Sequence, residues 1–201
     1  LNFIYNGIGS YDKGYVSILK GDKVGVINLD KAINIAPAYS SRIRAYSDTV
    51  LIASEDGLKG FINTKDELLS GFDFDEIKYW NDTIALTRIE DEWLLHQISD
   101  ESIVYEGILY FEYLKESDEE NIIQVTTANG KGIYSSLHGE IIEPTFTEII
   151  RLGTEKNPVY FAQKYVKEAD LHIVIYHDKN GNKLFTQTFQ EEEYFKIACS
   201  K

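Results

Sequence analysis

Strand-sized runs of apolar residues alternate with short polar turns along the whole chain. In Thr83-Ile84-Ala85-Leu86-Thr87-Arg88, Ile84 and Leu86 share one face and Thr87 lies on the other, the period-two pattern of a half-covered β-strand. The first full stretch reads Tyr15 to Leu19, the turn Lys20-Gly21-Asp22-Lys23, Val24 to Asn28, the turn Leu29-Asp30-Lys31, Ala32 to Ile35, then Pro37 and Tyr39, and Ile43 to Tyr46. Asp56-Gly57, Asn129-Gly130 and Asn180-Gly181 are hairpin-turn pairs, because tight loops demand backbone angles that Asn, Asp and Gly tolerate best. Phe72 to Tyr79 and Gln187 to Ile197 have some helical spacing, but each falls where a loop and a closing strand are expected.

A repeat emerges on aligning the strand that contains a Gly: Val24-Gly25-Val26-Ile27, Lys59-Gly60-Phe61-Ile62 and Lys131-Gly132-Ile133-Tyr134. Trp93-Leu94-Leu95-His96 and Ile173-Val174-Ile175-Tyr176 complete the set without the Gly. The spacing, about 34 to 42 residues, is that of a repeat protein. The copies occupy approximately 15–46, 49–79, 83–114, 121–152 and 157–199, within a single repeat domain spanning 1–201. Residues 1–9 carry a surplus strand, Phe3 to Ile8, with no copy before it. The expected fold is all-β, of tandem four-stranded antiparallel repeats. Four strands per period make one propeller blade, so a five-bladed β-propeller is the first expectation; an open β-solenoid or meander uses the same strands.

The pattern [aromatic or Lys]-Gly-[Val/Phe/Ile]-Ile, a polar turn, Ile-x-Pro-x-[Tyr/Phe], and a later Ile resembles the bacterial WG-repeat family, also called KWG. Its best copies are the first, with Gly25, Ile35, Pro37, Tyr39 and Ile43, and the fourth, with Gly132, Ile142, Pro144, Phe146 and Ile149. The second keeps Gly60, Phe74 and Ile77 but has Phe72 in place of the Pro. The Trp that names the family is Val24, Lys59 and Lys131 in the copies that retain the Gly; Trp93 preserves it, followed by Leu94. The resemblance implies a repeated β-structure used for binding, and no catalytic residues come with it.

The bulk numbers narrow the function. With 43% hydrophobic residues the chain can bury a continuous core, and 13% aromatics, led by 14 Tyr, suit pleated surfaces. Thirty-three acidic against 20 basic residues give a net charge of -13, which repels phosphate backbones and argues against nucleic acid. No apolar run approaches the length of a membrane span, and Leu1 to Ser10 lack the features of a signal peptide. An opening on Leu1 fits an excerpt or a processed form. Cys199 stands alone, so an internal disulfide is excluded. No cofactor is expected, and a protein or peptide is the expected partner.

Individual candidates for chemistry are sparse. His172 and His177, five apart, face opposite sides of a regular strand, which argues against joint zinc binding; His96 is remote in sequence, and His138 sits beside Gly139 in a turn. Asp178-Lys179-Asn180-Gly181-Asn182 has oxygen side chains at alternate positions, as calcium loops do, but Phe189 stands where the distal acid belongs. Carboxylate pairs such as Asp73 with Asp75 and Glu112 with Glu116 suggest glycoside hydrolysis by a small carbohydrate-active enzyme, one competing function beside a structural repeat array of a larger protein, yet with 33 acids such pairs arise by composition. No catalytic or metal site is therefore assigned. The binding candidates are aromatic: Tyr79, Trp80, Trp93, Tyr110 and Tyr113, read either as wedges between sheets or as a platform for a peptide or sugar. The acidic stretch Lys115-Glu116-Ser117-Asp118-Glu119-Glu120-Asn121 is the candidate interaction loop.

Overall fold

A computed structural model describes residues 5–12, 14–100, 102–117, 119–154 and 156–198, the last two without their side chains. It is all-β, in five tandem antiparallel sheets. The first holds β1 (Gly7–Asp12), β2 (Tyr15–Lys20), β3 (Lys23–Asn28) and β4 (Ile33–Tyr39). The second holds β5 (Arg44–Ala45), β6 (Val50–Glu55) and β7 (Leu58–Asn63). The third comprises β8 (Glu76–Tyr79), β9 (Ile84–Ile89), β10 (Glu92–Gln97) and β11 (Ile103–Ile108). The fourth comprises β12 (Tyr110–Lys115), β13 (Ile122–Thr127), β14 (Gly130–Ser135) and β15 (Gly139–Phe146). The fifth comprises β16 (Glu148–Gly153), β17 (Pro158–Val166), β18 (Leu171–His177) and β19 (Lys183–Gln190), followed by α1 (Glu191–Ala198). Within each sheet the strands are hydrogen-bonded in sequence order, the plan of a propeller blade.

The repeat is out of phase with the sheets by one strand. Ile43 to Tyr46, the closing strand of the first sequence copy, supplies β5 of the second sheet, and Ile149 to Leu152 lies in β16 of the fifth. The surplus strand thereby finds its place: Gly7 and Ile8 open β1, the first strand of the first sheet, while Phe3 and Ile4 fall outside the described residues. At the other end the closing strand of the last copy is absent from its expected position, where α1 forms instead. Glu191, Glu192 and Glu193 in its first turn and Lys196 in its last complement the helix dipole and favour helix over strand. Phe72 to Tyr79, by contrast, is extended: Phe74 bridges Lys59, and Glu76–Tyr79 is β8. The second sheet lacks a regular fourth strand: the stretch after β7 meets it in isolated bridges at Ile62–Leu68 and Lys59–Phe74, and the Leu69 and Ser70 N–H groups both go to the Phe61 carbonyl instead of continuing a ladder.

The repeat glycine has a steric cause. Opposite Gly25 the partner strand β4 carries three residues where β3 carries one, since Val24 pairs with Tyr39 and Val26 with Ile35. This bulge presses its backbone on the glycine, and a Cβ there would lie 2.4 Å from the Ile35 carbonyl oxygen and 2.6 Å from the Pro37 nitrogen. Gly132 repeats the arrangement, with Lys131 paired to Phe146 and Ile133 to Ile142, and a Cβ 2.6 Å from the Ile142 oxygen. Gly60 meets the Gly71 oxygen at 2.5 Å in the same way. The Pro of the pattern sits in the bulge, where its missing N–H leaves no ladder bond unmade.

The contacts divide the chain into two compact units, Leu1–Gly107 and Ile108–Lys201. In the first, Tyr15, Val26, Ile35 and Tyr39 pack against Leu51, Ala53 and Ile62, so the first sheet faces the second. Val50 and Ile52, on the opposite face of β6, join Phe61, Phe74, Ile77 and Ala85 against the third. The second sheet is thus buried on both faces, and β6 reads as a continuous apolar run, Val50-Leu51-Ile52-Ala53, rather than an alternation. Tyr46 pins this packing: its buried hydroxyl contacts the carbonyls of Asn81, at 3.0 Å, and Ile84, at 2.8 Å, and accepts the Trp80 backbone N–H at 3.2 Å. In the second unit Ile133, Ile142 and Phe146 pack on Ile149, Tyr160, Ala162 and Ile175. Removing one such fully buried side chain withdraws roughly 2 to 3 kcal/mol of burial.

Candidate functional site

The aromatic candidates divide by burial. Trp80 is 2% exposed and lies in the interior rather than on a binding face. Its neighbour Tyr79, at the end of β8, is 42% exposed, stands 5.2 Å from the Tyr46 ring and donates its hydroxyl to Asp82 at 3.1 Å. Trp93 is half-buried on β10 across the strands from Arg88, with the Lys78 ammonium 5.1 Å and the Arg88 guanidinium 5.9 Å from its ring centre. That face is occupied by cations of its own sheet. In the second unit Tyr110 begins β12 and is 61% exposed, while Tyr113 is half-buried on the same strand. Burial, helped by the Glu116 charge, pushes the Tyr113 hydroxyl up to about 12. Tyr79 and Trp80 therefore sit together around Tyr46, whereas Tyr110 and Tyr113 belong to another strand and unit.

The histidines do not converge. His96 is buried edge-on against Phe74, with ring centres 4.9 Å apart, beside a small pocket of about 130 Å³ that includes Ser70 and Asp73. His172 stacks on Tyr194 of α1 at 4.0 Å and 6°, and its Nδ1 meets the Gln163 amide at 3.0 Å. His177 packs on Phe146 across the opposite face of β18, and burial, aided by Lys183, lowers its pKa. The five-residue spacing thus places the two rings on opposite faces. Among the described residues no group of three or more His, Cys, Asp or Glu side chains could hold a metal ion. Cys199 lies outside the described residues.

The loop with alternating oxygens is a self-contained turn. One Asp178 carboxylate oxygen accepts the backbone N–H groups of Asn180, at 2.8 Å, and Asn182, at 2.9 Å, and the other accepts the Asn182 side-chain amide at 2.9 Å. The Asn182 side chain, together with these backbone donors, holds the carboxyl below its ordinary range. The acid that a calcium ion would use is committed to shaping the loop.

That turn forms one wall of a cleft of about 440 Å³ in the second unit. Four connections meet there: the acidic stretch after β12 supplies Lys115 and Glu120, the β14–β15 turn His138, the β16–β17 connection Lys156, and the β18–β19 turn Lys179 and Asn180. Ile122 and Pro158 give it an apolar floor. The convergence follows from topology. In an antiparallel meander the first and third connections lie at one end of the sheet, and the face-to-face packing of the fourth and fifth sheets brings two such ends together. The Arg151 guanidinium, donating to the Leu114 carbonyl at 2.6 Å, ties β16 to β12 beside the cleft.

The carboxylate of Glu120, at the cleft, is engaged. Glu120 accepts the Ser135 hydroxyl at 2.6 Å and the Lys115 ammonium at 3.0 Å. Burial alone would raise its pKa; the Ser135 and Lys115 bonds, with the charges of Lys115 and His138, outweigh it and hold the carboxyl below its usual value. Lys156 and Lys179, both exposed, have no hydrogen-bond or ion-pair partner among the described residues. Two residues of the acidic stretch, Lys115 and Glu120, therefore line the cleft together with Lys156 and Lys179 from other connections.

No protein-family model matches the chain, and no curated protein matches it. Several solved structures follow a similar chain course. Hsv2 of Kluyveromyces lactis aligns with a TM-score of 0.41 and 9% identity over 94% of this chain and 73% of that one. A eukaryotic initiation factor aligns with a TM-score of 0.47 and 8% identity over 93% and 66%, respectively. A quinonprotein alcohol dehydrogenase-like protein of Bacteroides thetaiotaomicron aligns with a TM-score of 0.31 and 13% identity over 93% of this chain and 56% of that one. Likeness at this level identifies neither a family nor an activity.

Proposed function

We propose that the chain is a non-enzymatic binding module of the WG-repeat type, and that it engages a protein or peptide partner at the cleft of its second unit. The observation that carries this reading is the cleft itself, where four connections of two packed sheets surround an apolar floor of Ile122 and Pro158. Its volume, about 440 Å³, falls in the range that accommodates a few side chains of a partner. Glycosidic hydrolysis works through two carboxylates on either side of the bond, whereas among the described residues this cleft presents Glu120, which is held by Ser135 and Lys115.

The test is steric and independent of ligand chemistry. Asn180 is exposed on the turn at the cleft wall, and Asn180→Trp fills the mouth while keeping the backbone N–H that Asp178 accepts. On an array of immobilised peptides, the native protein is expected to be retained at a subset of sequences and the Asn180→Trp variant at none of that subset. Retention of both proteins alike would place binding elsewhere and refute the proposal.

A further inference from the structure

Resting on the binding-module reading, we infer that the cleft's partner is an acidic peptide segment, whose carboxylates meet Lys156 and Lys179 while an intervening apolar side chain lies on Ile122 and Pro158.

The first ground is charge. The chain carries -13 overall, yet among the described residues lining the cleft are three lysines and one glutamate. Lysines are not needed for solubility on so acidic a chain, since its net charge already keeps copies apart. Three of them meet at one concave site.

The second ground is the inventory of hydrogen-bonding groups. Glu120 and Lys115 satisfy each other, with Ser135 closing the remaining carboxylate oxygen. Lys156 and Lys179 remain as donors without a partner among the described residues, and Asn180 and His138 line the same space. A ligand complementary to such a rim supplies acceptors, and an ionised carboxylate is an acceptor alone.

The third ground separates a carboxylate peptide from a compact oxyanion. Phosphate sites usually converge backbone N–H groups on one point, at a nest or a helix N-terminus. Around this cleft many of those groups are taken. The N–H groups of Asn180 and Asn182 go to Asp178, those of Leu137 and His138 to the Ser135 hydroxyl, that of Glu120 to the Ser117 hydroxyl and that of Asn121 to the Ser136 hydroxyl. What is left are flexible ammonium groups on separate connections. They suit spaced carboxylates better than a single tetrahedral anion, and the apolar floor between them suits the side chain of a residue flanked by acids.

Fluorescence anisotropy with a labelled peptide in which Glu alternates with Leu tests this, alongside its Gln-for-Glu counterpart and inorganic phosphate as a competitor. The Glu peptide is expected to bind at least tenfold more tightly than the Gln peptide. The double variant Lys156→Gln/Lys179→Gln is expected to weaken it at least tenfold, roughly three- to tenfold per lysine, and phosphate at equal concentration is expected not to compete. Equal binding of the two peptides, or an unchanged double variant, overturns the acidic-partner inference; if Asn180→Trp still abolishes binding in that case, the binding-module reading stands. Phosphate binding with no retention of the Glu peptide overturns the inference in favour of a free oxyanion site. No binding of either peptide or phosphate overturns it outright.

Discussion

Gly132→Ala should destabilise the chain through a contact that no torsion angle can relieve. Gly132 is outside the positive-φ set, so its backbone is one that alanine adopts without strain, and the substitution by itself would stabilise by about 0.4 to 1 kcal/mol through the unfolded state. The added methyl, however, would sit 2.6 Å from the Ile142 carbonyl oxygen and 2.8 Å from the Pro144 Cα and nitrogen. Ordinary contact begins near 3.4 Å, so the bulged strand must retreat by most of an ångström. That bulge is flanked by Ile142 and Phe146, both buried in the core of the second unit, and cannot move without opening it. Overpacking of this kind costs about 1 to 3 kcal/mol, and the larger end applies because the obstacle is backbone.

The net loss expected is about 2 kcal/mol, or roughly 4 to 8 °C in Tm for a chain of this size. Urea unfolding followed by far-ultraviolet circular dichroism measures it, with Gly21→Ala as the comparison. Gly21 has φ 65° and no atom within 4 Å of an added Cβ, so alanine there bears only the left-handed backbone cost of about 1 kcal/mol. Gly25→Ala, with a closer clash at 2.4 Å, should match or exceed Gly132→Ala. Equal midpoints for Gly132→Ala and Gly21→Ala, or an unchanged midpoint for Gly132→Ala, would refute the steric account of the repeat glycine.

Three further outcomes follow from the geometry. Glu120 has a folded-state pKa below that of a free carboxyl, so its contribution is present above the ordinary value of 4.5 and is lost as pH falls through the folded value. Glu120→Gln should therefore show a shallower loss of stability than the native chain as pH falls below 4.5 in urea titrations, and an equal slope would deny the Ser135 and Lys115 contacts that role. Acrylamide should quench Trp93 and spare Trp80, the two tryptophans of the chain, so that Trp93→Phe leaves blue-shifted, poorly quenched emission; strong quenching of that variant would contradict the burial of Trp80. Tyr194→Ala removes the ring stacked on His172 and the hydroxyl bonded to Gln163, and should accelerate amide exchange across α1 about tenfold or more without changing β17 or β18.

Much of the fold was legible because period-two alternation and turn residues are local signals. Asp56-Gly57 is the clearest case: both residues have positive φ, 50° and 90°, and close a two-residue hairpin between Glu55 and Leu58. The phase of the repeat was not legible. A tandem repeat can be cut at any strand, and only hydrogen bonding shows that Ile43 to Tyr46 starts a sheet instead of finishing one. α1 was missed because the repeat demanded a strand there, while the acidic first turn and Lys196 already spoke for a helix. Trp80 entered the candidate list through its residue type, although a bulky ring next to a closing strand fits the space between packed sheets equally well. Lys156 and Lys179 carried no signal of their own, being ordinary turn cations about 23 residues apart.

The position of the cleft follows from what the repeat leaves open to change. A sheet buried on both faces, as β6 and β7 show, constrains nearly every side chain along its strands, and the bulge over the repeat glycine constrains the backbone as well. Only the connections are left to vary in length and charge without disturbing the core. The stretch 116–121 is longer than the corresponding connections of the other sheets, and the turns at 136–138, 154–157 and 178–182 differ from one another in charge, with hydroxyl and carboxylate caps from Ser117, Ser135, Thr154 and Asp178. Such caps satisfy the turn N–H groups locally and leave the long lysine side chains as the groups that face outward. If the cleft binds as proposed, a change of ligand therefore requires changing only Lys156, Lys179 and their neighbours on the turns, with the core of the second unit left as it is.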